Sequence, residues 1–293
     1  MMLTESPAAA RRRLRFALRR LRESAQLTQG DVSKRLDWSI SKVNRIETGE
    51  VTVSGTDLEA MLRLFGVAGS ISAEQLVSHC KTARKRGWWS ASAFRSHVTP
   101  ALIELLQYES DAIRIRAYGP VVMPGPFQTT EYGSAILSYF AGDLSEDERV
   151  ARLELRTHLR ANAIDREPGP RCVLLLDESV VTREVGGPQL MVDQLNDLLD
   201  NIRVGKLELR IVPLSGPAIF AMAKAFILLD LDGDDVVMYR EDALSDEMLD
   251  DTEIIKTHER LFAQIEVRTL TTKASIRLIE ARIAALMYEL DRA

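Results

Sequence analysis

Two short segments between residues 28 and 49 constrain the fold of this chain more than any other feature. Thr28 and Ser39 each suit the capping position at the start of a helix, and Gly49 suits the left-handed residue that follows a helix. The apolar side of the two segments consists of Val32, Leu36, Val43 and Ile46. The pattern therefore predicts two short helices joined by a tight turn, which is a helix-turn-helix.

Helices are also predicted on either side of this pair. Leu14, Leu18 and Leu21 recur at helical spacing, which favours a helix over roughly residues 8–25. Another predicted helix begins near Thr56 and ends at Gly66. Residues 1–70 are thus expected to form a mainly α domain.

One face of the second short helix is a candidate for reading DNA bases. Val43 and Ile46 are predicted to face the core, so the opposite side presents four residues that we call the reading face: Ile40, Ser41, Asn44 and Arg45. Arg45 can bond guanine, Asn44 can pair with adenine and Ile40 can touch a thymine methyl group, whereas Ser41 suits either a donor or an acceptor. These residue types favour direct readout in the major groove.

Other residues of the same region are candidates for sequence-independent contacts with phosphate. Gln29 opens the first short helix, whose N-terminal N–H groups suit an anion. Lys42 and the cluster Arg11, Arg12 and Arg13 add positive charge. Ser39, which caps the second short helix, is also a predicted DNA-binding residue. The alternative is a helical protein-interaction module in which the arginines form a solvated face.

Net charge divides along the chain in the same way. The whole chain carries –5, which by itself argues against a general nucleic-acid binder. Residues 1–99 hold 17 Lys and Arg against nine Asp and Glu, a net charge of +8, and residues 100–293 carry –13. A basic N-terminal part on an acidic remainder favours a nucleic-acid module joined to a domain with another role.

The residue order Leu27-Thr28-Gln29, Val32, Leu36, Ser39, Val43, Arg45, Ile46, Glu47 and Gly49 resembles the phage-repressor or Xre-type helix-turn-helix family. The turn carries Asp37 where that family usually has Gly, and Asp is one of the residues that best tolerate a positive φ. The resemblance implies sequence-specific binding to double-stranded DNA. It also implies a structural ion pair between Arg22 and Glu47.

Residues 71–98 are predicted to be a helical connector. A capping box at Ser72–Gln75 opens a helix that should run to Arg86 and stop at Gly87. Trp88 and Trp89 follow, and they either line a ligand site or anchor the connector onto the next domain. The domain boundaries are therefore set at 1–70, 71–98 and 99–293.

Residues 99–293 combine helical and strand patterns. Thr99-Pro100 opens a helix that is expected to reach about Ala117, and further helices are expected at residues 130–140, 145–163, 189–202 and 270–290. Strands are predicted at Cys172–Leu176, Leu207–Val212, Phe226–Leu231 and Val236–Tyr239, with a hairpin turn at residues 232–234. The expected fold is an α+β domain with a small, mostly antiparallel sheet.

Several blocks of this second domain match one group of proteins: Glu109-Ser110-Asp111-Ala112, Pro124-Gly125 with Gln128-Thr129 and Tyr132, Asp177-Glu178, Val185-Gly186-Gly187, Gln194-Leu195, Val212-Pro213 and Tyr239-Arg240-Glu241. They resemble the actinobacterial Xre-type regulators that fuse a helix-turn-helix to a large C-terminal domain of unassigned function. Some of these are WhiJ-like and others antitoxin-like, and the resemblance implies a small acidic partner protein encoded nearby. Pro126 and Phe127 depart from the group's usual residues.

Enzyme and metal signals are weak, so we expect no catalysis, cofactor or metal. Phosphate-binding glycine loops and hydrolase motifs are missing, and Asp177 and Glu178 are adjacent, which suits a helix start better than a catalytic pair. Cys80 and Cys172 form no metal-binding pattern. No apolar run reaches about 18 residues, so no membrane span is expected, and the default compartment is the cytoplasm.

Three functions are compatible with this sequence. The first is a homodimeric transcriptional regulator whose C-terminal domain senses a small-molecule effector or a partner protein. Its candidate ligand site consists of Trp88, Trp89, Pro124, Phe127, Gln128 and Tyr132. The second is an antitoxin-like protein that sequesters a small acidic or basic partner and controls its own operon; an acid-rich stretch, residues 230–253, would suit a basic one. The third is an enzyme with an appended DNA-binding domain.

Overall fold

The structure is a computed structural model, and it describes residues 5–140, 142, 144–233, 235–241 and 245–292. The chain divides into two units, Met1–Ser90, which we call the head, and Ala91–Ala293, which we call the body. This differs from the three-part division expected from the sequence. The connector is not a separate segment, because its helix packs within the head.

The described part of the head contains five α-helices: α1 (Pro7–Ser24), α2 (Gln29–Leu36), α3 (Ile40–Thr48), α4 (Gly55–Leu64) and α5 (Ile71–Ala83). Each helix follows a Ser or Thr whose hydroxyl accepts a hydrogen bond from the backbone N–H three residues later. The cap of α5 is Ser70, two residues before the predicted Ser72. A single 3₁₀ turn, Trp88–Ser90, ends the head.

The helices of the head enclose one apolar core. Leu18, Val32, Val43 and Met61 are completely buried there, and they come from four different helices. The fifth helix adds Ala73, Leu76 and Cys80 to the same core. Because α5 buries its apolar side against the other helices, the head extends beyond the predicted boundary at residue 70.

The body has an α+β fold, as predicted. Its described helices are α6 (Ser92–Arg95), α7 (Pro100–Asp111), α8 (Thr130–Ser138), α9 (Glu146–Arg160), α10 (Glu178–Thr182), α11 (Pro188–Arg203), α12 (Thr252–Glu266) and α13 (Thr272–Leu290). Its described strands are β1 (Arg114–Gly119), β2 (Arg171–Asp177), β3 (Leu207–Val212), β4 (Ala225–Leu231), β5 (Asp235–Glu241) and β6 (Asp246–Leu249). One turn of π-helix, Ala161–Asp165, continues α9.

The strands form one mixed sheet in the order β3-β2-β1-β4-β5-β6. The neighbours of β2 are parallel to it, and the pairs β1–β4, β4–β5 and β5–β6 are antiparallel. The sheet is therefore mostly but not purely antiparallel, and β1, β6 and helix α12 are additions to the predicted elements. The predicted hairpin joins β4 to β5, although Asp234 of its turn lies outside the described residues.

Strand β1 corrects the prediction of a helix from Thr99 to about Ala117. Helix α7 ends at Asp111, and the following residues pair with both β2 and β4 in the middle of the sheet. No Gly or Pro marks this break in the sequence. The charged residue Arg116 also makes this segment unlike a buried strand in the sequence. In the structure Arg116 is buried, and its charge is compensated by ion pairs with Asp230 and Glu259.

Both faces of the central strands are buried. Tyr118, Phe226 and Leu228 line one face, where Phe262 and Ile265 of α12 pack against them. On the far edge, the N-terminal part of α13 covers β3: the N–H of Leu270 donates to the carbonyl of Ile211 (2.8 Å), and the N–H of Ile211 donates to Ser275 Oγ (3.0 Å). Both backbone groups of Ile211 at this sheet edge are therefore satisfied within the body.

Candidate nucleic-acid interface

The turn between α2 and α3 is built by local hydrogen bonds. Thr28 and Asp31 form a reciprocal capping box at the start of α2. The Thr28 hydroxyl and the Thr28 N–H both donate to the Asp31 carboxylate, and these two bonds hold its pKa below the usual range. Asp37 ends α2 in the left-handed conformation, with φ 55°. Ser39 then caps α3 by accepting from the N–H of Lys42 (3.1 Å). Asp37 thus occupies the conformation for which the family usually has Gly.

A buried ion pair connects α1 to the end of α3. Arg22 Nε donates to Glu47 Oε1 at 2.6 Å and its Nη2 donates to Oε2 at 2.9 Å, while Nη1 donates to the carbonyl of Leu27. The hydrogen bond with Glu47 is the main reason that the pKa of Arg22 is raised. Gln29 joins this group, since its amide donates to Glu47 Oε2 at 2.9 Å. The structure therefore brings Arg22 and Glu47 together and gives Gln29 a partner within the head.

The reading face of α3 is open to solvent. Ile40, Ser41, Asn44 and Arg45 are all exposed, Ile40 by 59%, whereas Val43 and Ile46 on the other side of the helix are buried. Arg45 makes one loose ion pair, with 3.6 Å between its Nε and Glu50 Oε2. A helix with a packed apolar side and a free mixed side has the form needed to enter the major groove.

Lys42 is not free, although it lies beside the reading face. Its ammonium is 2.8 Å from Asp57 Oδ1, at the start of α4, and 3.8 Å from the centre of the Trp38 ring. Sequence reasoning singled out neither Asp57 nor Trp38. The only available signals were a carboxylate at the third position of α4 and an aromatic residue next to the turn.

The three N-terminal arginines differ from one another. Arg12 is buried, with its guanidinium 4.6 Å from the centre of the Phe16 ring, so it does not extend into solvent as expected for a phosphate contact. Arg13 is half-exposed and pairs with Glu5 (3.3 Å), and Arg11 is half-buried. Exposed cations that the sequence analysis did not select lie at the end of α2, at Lys34 and Arg35.

Arg15 and Gly49 depend on each other at the end of α3. Arg15 Nη1 donates to the carbonyl of Thr48 at 2.8 Å, which satisfies one of the terminal carbonyls of the helix. Gly49 has φ 83°, and a Cβ atom there would lie 2.9 Å from Cδ of Arg15. Glycine is therefore favoured by the backbone conformation, and a larger residue would also displace the Arg15 side chain.

The candidate ligand residues of the second domain lie mostly in its interior. Pro124, Phe127, Gln128 and Tyr132 are buried. Gln128 donates to the carbonyl of Met123 (2.7 Å) and accepts from Arg156 Nε (3.0 Å). These four residues therefore do not line the groove that the sequence predicted, because the Pro-Gly turn directs their side chains into the core. The other two candidates, Trp88 and Trp89, belong to the head and form an edge-to-face pair with ring centres 6.0 Å apart.

A completely buried glutamine fixes the same turn. Gln194 of α11 accepts from the N–H of Thr129 (2.8 Å) and donates to the carbonyl of Phe127 (3.0 Å). The Gln194 side chain therefore provides the hydrogen bonds that secondary structure would otherwise give to the N–H of Thr129 and the carbonyl of Phe127. The Pro-Gly block and the Gln194-Leu195 block, both recognised as landmarks in the sequence, belong to one structural unit.

A shallow depression of about 510 Å³ lies beside this turn on the body surface. Five of its lining residues are on α8, Thr130, Glu131, Ser134, Ala135 and Ser138, and the others are Leu153, Gly186 and Leu190. None of the predicted ligand residues lines it. The depression is nevertheless near them in the chain, since α8 directly follows the Pro-Gly turn.

Several acidic groups that the sequence singled out in the body have structural partners. Asp177 caps α10 by accepting from the N–H of Ser179, and Glu178 accepts from the N–H of Leu214 (2.8 Å). In the acid-rich stretch, Asp230 pairs with Arg116, while Glu241 and Asp246 accept from the hydroxyl of Tyr239. Asp234 and Asp242 of that stretch lie outside the described residues.

The described residues contain neither a grouped set of metal ligands nor a helix fit to cross a membrane. Across the ranges that the structure describes, no three His, Cys, Asp or Glu side chains are grouped to hold a metal ion. No helix in the same ranges is both long and apolar enough to cross a membrane.

The fold and the open face of α3 define the class: a helix-turn-helix protein that carries an additional α+β domain. Comparison with family models agrees, since residues 13–75 match a helix-turn-helix domain. Residues 102–281, more than half of the chain, match the domain of unknown function DUF5753, and the chain belongs to that family. No curated protein and no solved structure matched the chain.

Proposed function

We propose that this chain is a sequence-specific transcriptional regulator that reads double-stranded DNA with α3. The observation that carries the proposal is the reading face: four exposed side chains with readout chemistry on a helix whose opposite side is fixed in the core. The match to a helix-turn-helix domain supports the same role. The site of action would be chromosomal DNA in the cytoplasm.

The regulator is proposed to act as a homodimer. A helix of nine residues contacts only a few base pairs, so a single head would recognise a short half-site. Two heads related by two-fold symmetry would read a pseudo-palindrome with half-sites about 34–36 Å apart. Light scattering during size-exclusion chromatography measures this oligomeric state directly.

The test of the function is a selection of DNA sites by the full chain from a random double-stranded library. We expect one enriched motif with two-fold symmetry. We also expect the selected site to bind about 10³- to 10⁷-fold more tightly than a scrambled duplex at physiological salt. Equal affinity for the selected and scrambled duplexes would overturn sequence-specific regulation.

The body is proposed to receive a signal, either a small-molecule effector or a partner protein. A short segment before β4 supports this role, because Leu214, Ile219 and Met222 are exposed by 63%, 63% and 79%. The structural roles of Asp177 and Glu178 favour a non-catalytic body. An effector would change the affinity of the full chain for its selected site.

The second candidate is an antitoxin-like protein whose body sequesters a small partner, with DNA binding serving autoregulation. The same exposed apolar segment favours it, together with the resemblance to regulators encoded beside a small protein. Co-expression with the product of the neighbouring gene separates the candidates. A stable complex that neutralises a toxic partner supports the antitoxin, whereas a complex that only changes operator affinity supports the regulator.

A further inference from the structure

Asp57 departs from the behaviour of Asp31 and Glu148, the two comparable residues in the described helices. In α2 and α9 the carboxylate at the third helical position, Asp31 or Glu148, turns back and accepts from the N–H of the capping residue. Asp57 holds the same position in α4, and its own N–H donates to the cap Ser54 (3.0 Å). Its carboxylate instead accepts from Lys42 of α3 at 2.8 Å. Asp57 is thus directed at the DNA-reading helix rather than at its own helix end.

The ammonium of Lys42 is held on two sides. Asp57 neutralises its charge, and the Trp38 ring, 3.8 Å away at its centre, provides a cation–π contact. The Lys42 side chain is 38% exposed and that of Asp57 is 26% exposed, so the pair lies at the margin of the surface. A phosphate that approaches α3 must therefore compete with a carboxylate already in place.

We propose that Asp57 restrains the affinity of the head for DNA of every sequence by holding Lys42 in this pair. The inference rests on the proposed function. Ser41 of the reading face precedes Lys42 in the first turn of α3, so the ammonium lies where a phosphate contact would form once the pair opens. Base readout by Arg45 and Asn44 is separate from the pair, so Asp57 sets the strength of binding and leaves the sequence preference unchanged.

The physical basis is counterion release. Each cation that neutralises a phosphate adds about 0.9 to the slope of log affinity against log salt. Loss of the Asp57 charge would release Lys42 for one such contact. We expect a steeper slope by about 0.9 and, near 0.1 M salt, a gain in affinity of about 3- to 10-fold, equal on specific and random DNA.

The experiment titrates the selected duplex and a scrambled duplex with the full chain at several salt concentrations. Asp57→Asn removes the charge with little change of shape, and Asp57→Ala removes the acceptor as well. Lys42→Gln in the Asp57→Asn background should cancel the gain, because no cation is then released. Glu59→Gln is the matched control: it removes one acidic charge from the same helix but projects about 200° away from Asp57, beside Arg63.

The proposal is supported if both Asp57 variants bind both duplexes more tightly with a steeper slope while Glu59→Gln does not. It is overturned if the slope is unchanged, or if binding weakens on the selected duplex alone, which would make Asp57 a positioning residue for α3. Thermal unfolding followed by circular dichroism identifies a variant that fails to fold. The proposed function is judged separately, by the ratio of the two duplex affinities for the unmodified chain.

Discussion

The head and the body differ in which side chains they expose and which they bury: the head exposes an apolar residue on α3, whereas the body buries polar residues. The head exposes an isoleucine, Ile40, on its reading face, whereas the body buries Gln194 and Glu109 completely. Exposing one apolar side chain costs little, but burying a polar group is costly unless it is hydrogen-bonded. The four side chains of the reading face are therefore exposed to another molecule, whereas the buried Gln194 fixes the backbone of the body itself.

The comparison can be tested one unit at a time. All three tryptophans of the chain, Trp38, Trp88 and Trp89, lie in the head. Tryptophan fluorescence therefore follows unfolding of the head, and a circular-dichroism transition without a matching fluorescence change belongs to the body.

The largest effect is expected for Glu47→Ala, because Glu47 is the exception to the exposed polar residues of α3. The change removes the two short bonds of the buried Arg22 to Glu47 and leaves it only the more exposed Glu23, 3.5 Å away, as a carboxylate partner; it also removes the partner of Gln29. Breaking a buried ion pair on one side costs about 3–5 kcal/mol. Urea unfolding followed by tryptophan fluorescence measures this loss in the unfolding free energy of the head. The control Glu50→Ala removes an exposed carboxylate nearby and should stay within about 0.5 kcal/mol of the unmodified chain.

The second prediction concerns Gln194, whose two hydrogen bonds are expected to stabilise the turn before α8. Gln194→Ala leaves the N–H of Thr129 and the carbonyl of Phe127 unpaired in the interior. We expect a loss of about 2–4 kcal/mol in the unfolding transition of the body, since each unpaired buried group costs about 1–3 kcal/mol. Gln189→Ala on the same helix is the control, because Gln189 is exposed. Similar losses of unfolding free energy in both variants would contradict a stabilising role for the Gln194 hydrogen bonds.

The sequence predicted the head better than the body for a physical reason. In the head, caps such as Ser39 and the apolar spacing of Val43 and Ile46 act within one turn of helix, so α3 was predicted with its observed bounds. The contact between Lys42 and Asp57 joins residues on different helices, and no local pattern encodes it. The reading face could therefore be derived from the sequence, but not the restraint on its neighbouring cation.

In the body, long-range pairing determines what the local pattern does not. Strand β1 lies between β2 and β4, which come from later parts of the chain, and Arg116 is stabilised there by Asp230 and Glu259. Local periodicity favoured a continuing helix, and tertiary pairing overrode it. Likewise, the Pro-Gly block correctly indicated a turn but not whether Phe127 faces solvent or core.

A third, smaller effect tests the exposed side of the comparison. Arg45→Ala should reduce affinity for the selected site by about 1–3 kcal/mol and relax preference at one base pair, while unfolding of the head changes by less than about 0.5 kcal/mol. A salt-series titration against single-base variants of the site measures both affinity and preference. Arg63→Ala, an exposed arginine on α4, is the control. If Arg45→Ala weakens all duplexes equally, Arg45 contacts phosphate rather than a base.

The last and most gradual effect is a pH dependence at Glu109 in α7, which is small at any one step of pH. Its carboxylate is completely buried, and neither oxygen has a hydrogen-bond partner in the described residues. Burial raises its pKa well above the ordinary value of 4.5, and the charge of Arg166 only partly opposes the rise. The folded body thus retains this proton at a pH where the unfolded chain releases it, so the contribution to stability is complete below about pH 4.5 and is lost as the pH rises toward the folded pKa.

Glu109→Gln removes the ionisation and nearly preserves the shape, which isolates this contribution. Relative to the unmodified chain, the variant should become more stable as the pH rises above about 4.5, by at most about 1.4 kcal/mol per pH unit. Urea unfolding of the body by circular dichroism at several pH values gives the difference, in which all other titrating groups cancel. A difference that stays constant with pH would mean that the body accommodates a charged Glu109 in its interior, as it already accommodates the ion-paired Arg116.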